Sequence, residues 1–293
     1  MSTSFKCVFA AVLLLGAAAT APAQQAHPSF SVTVSGRGPA VILIPGLLSS
    51  GEVWKSTVER YQQHFTLHTV TLAGFGGPAP IGSPFLSTVR DEIIGYIRAR
   101  KLSKPIVIGH SLGGFMAFWI ASTAPDLVGG VVAVDGVPFL PALGNPAATA
   151  ESMSAQAKQI ASLYASLSPE QLLAQSRMAM AMMITAPADV ETAMAWVSKS
   201  DAATAGRAVA ELTTTDLRAD VAKITAPALL IGALGSAPEP MRPALEKAYH
   251  AQVSRLPGAR VKMAPGARHF IMFDDPAFLF AAFDQFFASL PAK

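Results

Sequence analysis

A Gly-x-Ser-x-Gly turn at the end of an apolar run constrains this chain more than any other feature. Residues 105–114 read Pro-Ile-Val-Ile-Gly-His-Ser-Leu-Gly-Gly, and residues 115–124 have the composition of a helix. A strand that enters a helix through so sharp a turn needs the glycines two residues before and after the serine, here Gly109 and Gly113. The pattern predicts that Ser111 has a strained backbone and an exposed, nucleophilic hydroxyl. A glycine-containing turn that merely holds a serine is the plain structural alternative.

Short apolar runs alternate with helix-like segments on both sides of this turn. Such alternation is typical of a parallel sheet with right-handed crossovers, so we expect an α/β fold with a mostly parallel, doubly wound sheet. Ser83 and Pro84 read as the N-cap and first residue of a helix that ends near Arg100. We expect a half-exposed strand at 29–34 and further strands at 40–44, 66–72, 131–134, 228–232 and 260–264, together with the apolar run that starts at Pro105 and ends at the turn.

Residues 138–215 interrupt the alternation with a long helical stretch that contains no strand-like run. We therefore expect a helical cap at 138–215, inserted between the core segments 24–137 and 216–293. Methionine more often packs in a core, but its adaptability also suits a lid over a binding site, and both interpretations stay open. The insert holds six of the eleven methionines: Met153, Met178, Met180, Met182, Met183 and Met194.

Residues 1–23 have the pattern of a secretory signal peptide. Lys6 precedes an apolar run at 8–19, and Ala-Pro-Ala at 21–23 fits the rule for cleavage after Ala23. A membrane anchor is the alternative, but the run is shorter than the roughly 20 residues that span a bilayer. We expect a periplasmic or secreted protein, not stably inserted in a membrane after cleavage. Cys7, the only cysteine, lies in the signal, so the mature chain would form no disulfide.

Composition excludes several classes of protein. Half of the residues are apolar and 14% are charged, which excludes a disordered chain and predicts a sizeable core. The net charge is only +3, and the Lys and Arg residues form no cluster in the sequence, so nucleic-acid binding is not expected. Phosphate-loop, dinucleotide and H-E-x-x-H motifs are absent from the sequence, which predicts neither a cofactor nor a metal. The expected partner is a small molecule, and the oligomeric state is not predicted.

One histidine is the best candidate for a general base. A serine hydroxyl needs a histidine to take its proton and a carboxylate to orient that histidine, in the chain order serine, acid, histidine. Of the two histidines after the serine, His250 lies in a helical segment and is expected at the surface. His269 follows the last strand, at the sheet edge where such folds place their chemistry. The four earlier histidines are His27, His64, His68 and His110.

Four stretches match one known family: the Gly109–Gly114 turn and the loops at 44–47, 73–76 and 268–269. They resemble the α/β-hydrolase superfamily, in particular its small, capped, esterase-like members. The likeness covers about residues 30–140 and 216–290 and implies an α/β-hydrolase fold. It also implies an oxyanion hole formed by the backbone N–H groups of Leu112 and Leu47. The loop before Leu47 usually reads His-Gly in the family and here reads Pro-Gly, which leaves a backbone donor possible.

The acid departs from the family pattern. Most relatives carry it shortly after the strand that follows the cap, but residues 230–239 contain no aspartate. Some relatives carry it at the end of the strand before the cap, where this chain has Asp135. The resemblance therefore favours Asp135 as the triad acid, with Glu239 as the alternative and a purely structural role for Asp135 as the plain interpretation.

The resemblance implies a serine hydrolase that cleaves carboxylic esters through an acyl-enzyme. Haloalkane dehalogenases and epoxide hydrolases of the superfamily have aspartate at the nucleophile, so both are disfavoured. Hydrolysis of lactones, thioesters, carbon–carbon bonds or aminoacyl groups stays open, as does a non-catalytic binding protein. An aminopeptidase would need a carboxylate in the cap, for which the candidates are Glu151, Glu170, Asp189, Glu191 and Asp201.

A small to medium, uncharged ester is the expected substrate, because the candidate pocket residues are apolar. Core packing is the alternative for each of these residues. They are Trp54, Phe75, Phe139 and Met182.

Overall fold

A computed structural model describes residues 27–291. The predicted signal peptide at 1–23, its cleavage site and Cys7 lie outside the described residues. Within them the strands are β1 (Phe30–Gly36), β2 (Ala40–Ile44), β3 (Thr66–Leu72), β4 (Ile106–His110), β5 (Gly130–Val134), β6 (Ala228–Ala233) and β7 (Arg260–Ala264).

The strands form one sheet in the order β1-β3-β2-β4-β5-β6-β7. Strand β1 runs antiparallel to β3, and every other neighbouring pair is parallel. Strands β4 and β5 are buried along their whole length, as their unbroken apolar sequences predict, whereas β1 is half-exposed. The expected α/β fold with a mostly parallel sheet is confirmed.

Helices flank the sheet and fill the insert. Five helices lie within residues 138–215, and no strand does. No helix within residues 27–291 is long and apolar enough to span a membrane. The helices are α1 (Lys55–Tyr61), α2 (Leu86–Ala99), α3 (Leu112–Thr123), α4 (Pro141–Gly144), α5 (Ala150–Ala165), α6 (Pro169–Met183), α7 (Pro187–Val197), α8 (Ala202–Thr214), α9 (Arg242–Gln252), α10 (Ile271–Asp274) and α11 (Pro276–Ala288).

Helix α2 begins later than the sequence predicts, and another element caps it. Its first residue is Leu86, so Ser83 and Pro84 are not its N-cap and first residue, and that prediction is wrong. Glu211 of α8 instead accepts hydrogen bonds from the N–H groups of Phe85 and Leu86, each at 2.7 Å. The carboxylate satisfies two donors that a helix start leaves open and carries the charge that a helix N-terminus favours. This contact ties the insert to the core.

Parallel strands place their carboxyl ends along one edge of the sheet. The residues that follow β2, β4 and β5 there are Pro45, Ser111 and Asp135. The loop after β7 carries His269 to the same edge, because β7 lies parallel to β6. The candidate residues therefore converge although they are far apart in the chain.

Candidate active site

Ser111 occupies a sharp turn between β4 and α3. Its backbone has φ 54° and ψ −117°, in the left-handed half of φ that side-chain-bearing residues rarely adopt. A Cβ atom on Gly109 would lie 1.9 Å from the carbonyl oxygen of Gly113, and one on Gly113 would lie 2.2 Å from that of Ile44. Neither position can carry a side chain without a collision with backbone. The two glycines therefore permit the turn that exposes the serine.

The two candidate oxyanion donors, Leu112 and Leu47, lie on segments that contact the serine. Leu112 is the first residue of α3, where the N–H has no acceptor within the helix and the helix dipole is positive. The loop after β2 passes close above the serine, because a Cβ atom on Gly46 would lie 3.2 Å from the Cβ of Ser111. Leu47 follows in that loop and lines the same cavity as Ser111. Both residues that the resemblance implied as oxyanion donors are thus adjacent to the serine.

His269 is hydrogen-bonded to Asp135 and lines the cavity with Ser111. Its Nδ1 lies 2.6 Å from Oδ2 of Asp135. A carboxylate accepts only, so Nδ1 carries a proton, and Nε2 is the nitrogen left to exchange a proton in the cavity. Glu239, the alternative acid, is exposed in a short 3₁₀ turn. The structure thus places Asp135, and not Glu239, against His269.

Three donors hold the carboxylate of Asp135, which follows β5 with φ 49°. Besides His269, Oδ1 accepts from the N–H of Ala233 at 2.8 Å and from the hydroxyl of Tyr249 at 2.5 Å. Ala233 is the last residue of β6, so a backbone donor at the end of the neighbouring strand orients the carboxylate of Asp135. Burial, followed by the charge of Asp135, raises the pKa of Tyr249 well above its ordinary value. Its hydroxyl therefore remains a donor. Sequence reasoning missed Tyr249, because nothing in a helical tyrosine signals this contact.

His110 contacts the backbone of His269. It is fully buried, and its Nε2 lies 3.1 Å from the backbone carbonyl oxygen of His269. Burial, with the nearby His269 ring adding to it, lowers the pKa of His110 well below the ordinary value. The ring is therefore neutral and donates its Nε2–H to that carbonyl. A residue next to Ser111 in sequence thereby holds the loop that carries His269.

The residues on both sides of His269 bind the cap. The guanidinium of Arg268 donates to the carbonyl oxygens of Ala181 at 3.0 Å and Ile184 at 3.1 Å. The N–H of Phe270 donates to the carbonyl of Met183 at 3.2 Å. These hydrogen bonds hold the end of α6 against residues 268–270, which we call the histidine loop.

Asp274 adds a second fastening between the same segments. Its carboxylate accepts from the N–H and the hydroxyl of Thr185, both at 2.9 Å, and from the N–H of Arg268 at 2.8 Å. Five backbone or hydroxyl groups around the histidine loop and the end of α6 therefore bind this acidic residue or the guanidinium of Arg268. No local pattern in the sequence indicates this contact, because it joins residues far apart in the chain.

A cavity of about 190 Å³ opens above the serine between the sheet edge and the cap. A cavity of about 150 Å³ already admits a benzene-sized ligand, so this one suits a small acyl or alkyl group. The lining residues from the core are Gly46, Leu47, Leu48, His110, Ser111, His269 and Phe270, and those from the cap are Tyr164, Leu172, Gln175, Ser176, Ala179, Met180 and Met183.

None of the four predicted pocket residues lines this cavity. Trp54, Phe75 and Phe139 are fully buried elsewhere: Phe75 packs edge-on against Phe85, and Phe139 belongs to a small separate cluster. Met182 is 69% exposed on the outer side of α6. The prediction that these four residues line the pocket is therefore wrong. The three aromatic side chains fill the interior of the protein, and Met182 faces solvent.

Two other cap methionines do line the cavity, Met180 and Met183. Met194 is buried and packs in the core, whereas Met178 is 69% exposed. Some methionines of the insert therefore line the cavity, and at least one, Met194, packs in the core. The rotation of α6 about its axis decides which methionine faces the serine.

Known proteins resemble this chain in sequence and in fold. A family model described as the alpha/beta hydrolase family matches residues 41–282. A pimeloyl-[acyl-carrier protein] methyl ester esterase of Aliivibrio fischeri is 36% identical over 103 residues, which are 35% of this chain. The chain matches only 38% of that esterase's length.

Solved structures share the fold at low sequence identity. A hydrolase from Pseudomonas aeruginosa has a TM-score of 0.74 at 18% identity, covering 89% of this chain and 94% of that one. An enol-lactonase from Burkholderia xenovorans has a TM-score of 0.69 at 18% identity, covering 89% of this chain and 96% of that one.

Proposed function

The chain belongs to the alpha/beta hydrolase family, and we propose that within this family it is a serine esterase. It cleaves carboxylic esters of small to medium apolar compounds through an acyl-enzyme. The observation that carries the proposal is the hydrogen bond of 2.6 Å between His269 and Asp135, in a cavity that also contains the strained Ser111. A serine, a histidine and a carboxylate grouped in this way are the residues that acyl transfer through a serine nucleophile requires.

The proposed reaction begins with proton transfer. Nε2 of His269 takes the proton of Ser111 as its Oγ attacks the acyl carbon, and the imidazolium that forms is stabilised by Asp135. The same proton then passes to the leaving alcohol. Water, activated by His269 in turn, hydrolyses the acyl-enzyme and restores the serine.

The negative oxygen of each tetrahedral intermediate is placed between the N–H groups of Leu47 and Leu112. Fixed backbone donors cost no reorganisation when the charge develops, and each typically lowers the barrier by about 3 kcal/mol. The position of Leu112 in the first turn of α3 supports this role, because that N–H has no acceptor within the helix.

The composition of the cavity lining favours a neutral substrate. Its lining is mostly aliphatic, aromatic and methionine side chains, which bind apolar groups. The methyl ester esterase that this chain resembles acts, by its name, on a methyl ester, and we extend only ester hydrolysis to this chain. Its carrier-protein partner is not part of the proposal.

Lactone hydrolysis is the second candidate, because a lactone is a cyclic ester and the same triad opens it. An aminopeptidase is disfavoured, since none of the cap carboxylates at 151, 170, 189, 191 and 201 lines the cavity. A non-catalytic binding protein predicts a disrupted triad, which the bond between His269 and Asp135 speaks against.

A substrate screen with an active-site label tests the proposal. The mature protein is assayed on p-nitrophenyl esters of increasing acyl length, on lactones and on aminoacyl anilides, with Ser111→Ala as the control. We expect turnover of short esters and covalent labelling of Ser111 by a fluorophosphonate, with both lost in the variant. An absence of labelling in the intact protein contradicts the proposal.

We further propose that the enzyme acts outside the cytoplasm, on the strength of the signal-like residues 1–23. Fractionation of cells that express the whole chain, with mass spectrometry of the N-terminus, tests this. We expect a mature form that begins at Gln24 in the exported fraction. An uncleaved chain retained in the cytoplasm contradicts export.

A further inference from the structure

One polar residue interrupts the apolar face that α6 turns toward the cavity. Leu172, Ser176 and Met180 are spaced four residues apart, lie on one side of the helix and line the cavity together. Ser176 is only 6% exposed, and its hydroxyl forms no hydrogen bond with another residue between 27 and 291 but stays accessible from the cavity. A hydroxyl in this position can donate to, or accept from, a group bound in the cavity. A ligand with a suitably placed oxygen would therefore form a hydrogen bond there in place of water.

Tyr164 brings a second neutral polar group to the same wall. It lies near the end of α5 and lines the cavity. A Cβ atom on Gly206 of α8 would lie 2.6 Å from the Cβ of Tyr164, so the glycine lets the two helices approach closely there. Close packing of α5 on α8 holds the tyrosine in position. Gln175, one residue before Ser176, lines the cavity as well and is exposed.

Charged side chains are missing from this wall. None of the residues that line the cavity, all within the described part of the chain, is Asp, Glu, Lys or Arg. His110 is neutral because burial lowers its pKa. A carboxylate or ammonium group that entered the cavity would lose its hydration and find no opposite charge. The cavity thus combines an apolar surface with hydrogen bonding to uncharged groups.

We propose that Ser176, assisted by Tyr164, is a specificity-determining residue that binds a neutral oxygen in the substrate. The favoured substrates are esters that carry an ether, hydroxyl or second carbonyl oxygen in the half that enters the cavity. Plain alkyl esters leave the hydroxyl of Ser176 without a partner, and anionic or cationic acyl groups are disfavoured. This inference rests on the proposed esterase function and specifies its substrate class.

Matched ester pairs measure the preference. On the acyl side, p-nitrophenyl methoxyacetate is compared with the butyrate, and the 3-methoxypropanoate with the pentanoate. On the alcohol side, 2-methoxyethyl acetate is compared with butyl acetate. Each pair exchanges one CH₂ for an oxygen at nearly constant shape. The ratio of kcat/KM within each pair is determined for the wild type and for Ser176→Ala, so that the intrinsic reactivity of each ester cancels.

We expect Ser176→Ala to lower this ratio by about five- to tenfold in at least one series, the effect of losing one neutral hydrogen bond. The alkyl esters keep their rate or gain slightly. The variant is expected to fold, because alanine favours helix and no protein hydrogen bond is lost. Tyr164→Phe lowers the ratio in the same series.

Ser122→Ala is the matched control. Ser122 is also 6% exposed on a helix, but its hydroxyl donates to the carbonyl of Trp119 at 3.1 Å and does not line the cavity. We expect its ratios to equal those of the wild type. Ratios in Ser176→Ala that match the wild type in all series overturn the inference while leaving the esterase intact. A wild type that hydrolyses no ester overturns the proposed function itself.

Discussion

Removal of the Tyr249 hydroxyl tests how Asp135 acts on His269. Tyr249 donates to Oδ1 of Asp135 at 2.5 Å, while Oδ2 accepts from His269 at 2.6 Å. The other titratable group that faces His269 is His110, which its lowered pKa keeps neutral. Tyr249→Phe therefore changes a single hydrogen bond in the electrostatic environment of the base.

The size of the effect follows from these contacts. A hydrogen bond to a charged acceptor contributes about 1.5–3 kcal/mol. Without it, the charge of Asp135 shifts toward the oxygen that faces His269 and stabilises the imidazolium more strongly. One pH unit corresponds to about 1.4 kcal/mol, so transmission of roughly a third to a half of that energy moves the acid limb of kcat/KM up by about half to one pH unit.

The assay is the pH dependence of kcat/KM on a short p-nitrophenyl ester, repeated with the rate of fluorophosphonate labelling. Tyr61→Phe is the matched control, because the Tyr61 hydroxyl donates to the carboxylate of Asp284 at 2.7 Å, away from the site. We expect the control to keep the wild-type profile. A Tyr249→Phe variant that is folded and shows an unshifted acid limb refutes the reasoning.

Two further changes test the contacts that join cap and core. Glu211→Ala removes the acceptor for two N–H groups at the start of α2 and should lower the free energy of unfolding by about 2 kcal/mol in urea titrations, whereas the exposed Glu246→Ala changes it little. Asp274→Ala removes the hydrogen bonds that join Thr185 to the histidine loop, while those of Arg268 and Phe270 to the end of α6 remain, and should lower kcat/KM by about tenfold with little change in the far-ultraviolet circular dichroism. Thr185→Val, which removes only a hydroxyl donor, should give a smaller loss, and equal losses in both variants would contradict this account of the Asp274 contact.

The strands of the core were predictable because their signals are local. The continuous apolar run at 40–44 predicted β2, and the shorter strand-like stretches at 66–72 and 260–264 predicted β3 and β7, all with the bounds that the structure has. The turn around Ser111 was equally predictable, since only glycine fits at Gly109 and Gly113. Burial on both faces leaves a strand such as β2 few alternatives.

The start of α2 was mispredicted because a distant residue decides it. Ser83 and Pro84 carry the right local signal, yet Glu211 lies more than a hundred residues later and binds the first N–H groups of the helix. Local propensity competes with tertiary contacts and here loses to them. The contacts of Asp274 and Tyr249 escaped prediction for the same reason.

The substrate wall depends on how α6 is rotated over the sheet. Met180, Met182 and Met183 differ little in sequence context, but only the first and last line the cavity. Aromatic residues such as Trp54 satisfy a core and a pocket equally well, so composition cannot separate the two. Docking of the cap onto the core, which the sequence does not encode locally, settles the question.

Paired substitution of the two candidate acids determines which carboxylate orients His269 for catalysis. Asp135→Asn and Glu239→Gln are each compared with the wild type in kcat/KM on the best ester of the screen. We predict that Asp135→Asn lowers the rate by about ten-thousandfold, because the amide no longer holds His269 in the required tautomer, and that Glu239→Gln retains the wild-type rate. Near-wild-type activity in Asp135→Asn, together with loss of activity in Glu239→Gln, would contradict the account.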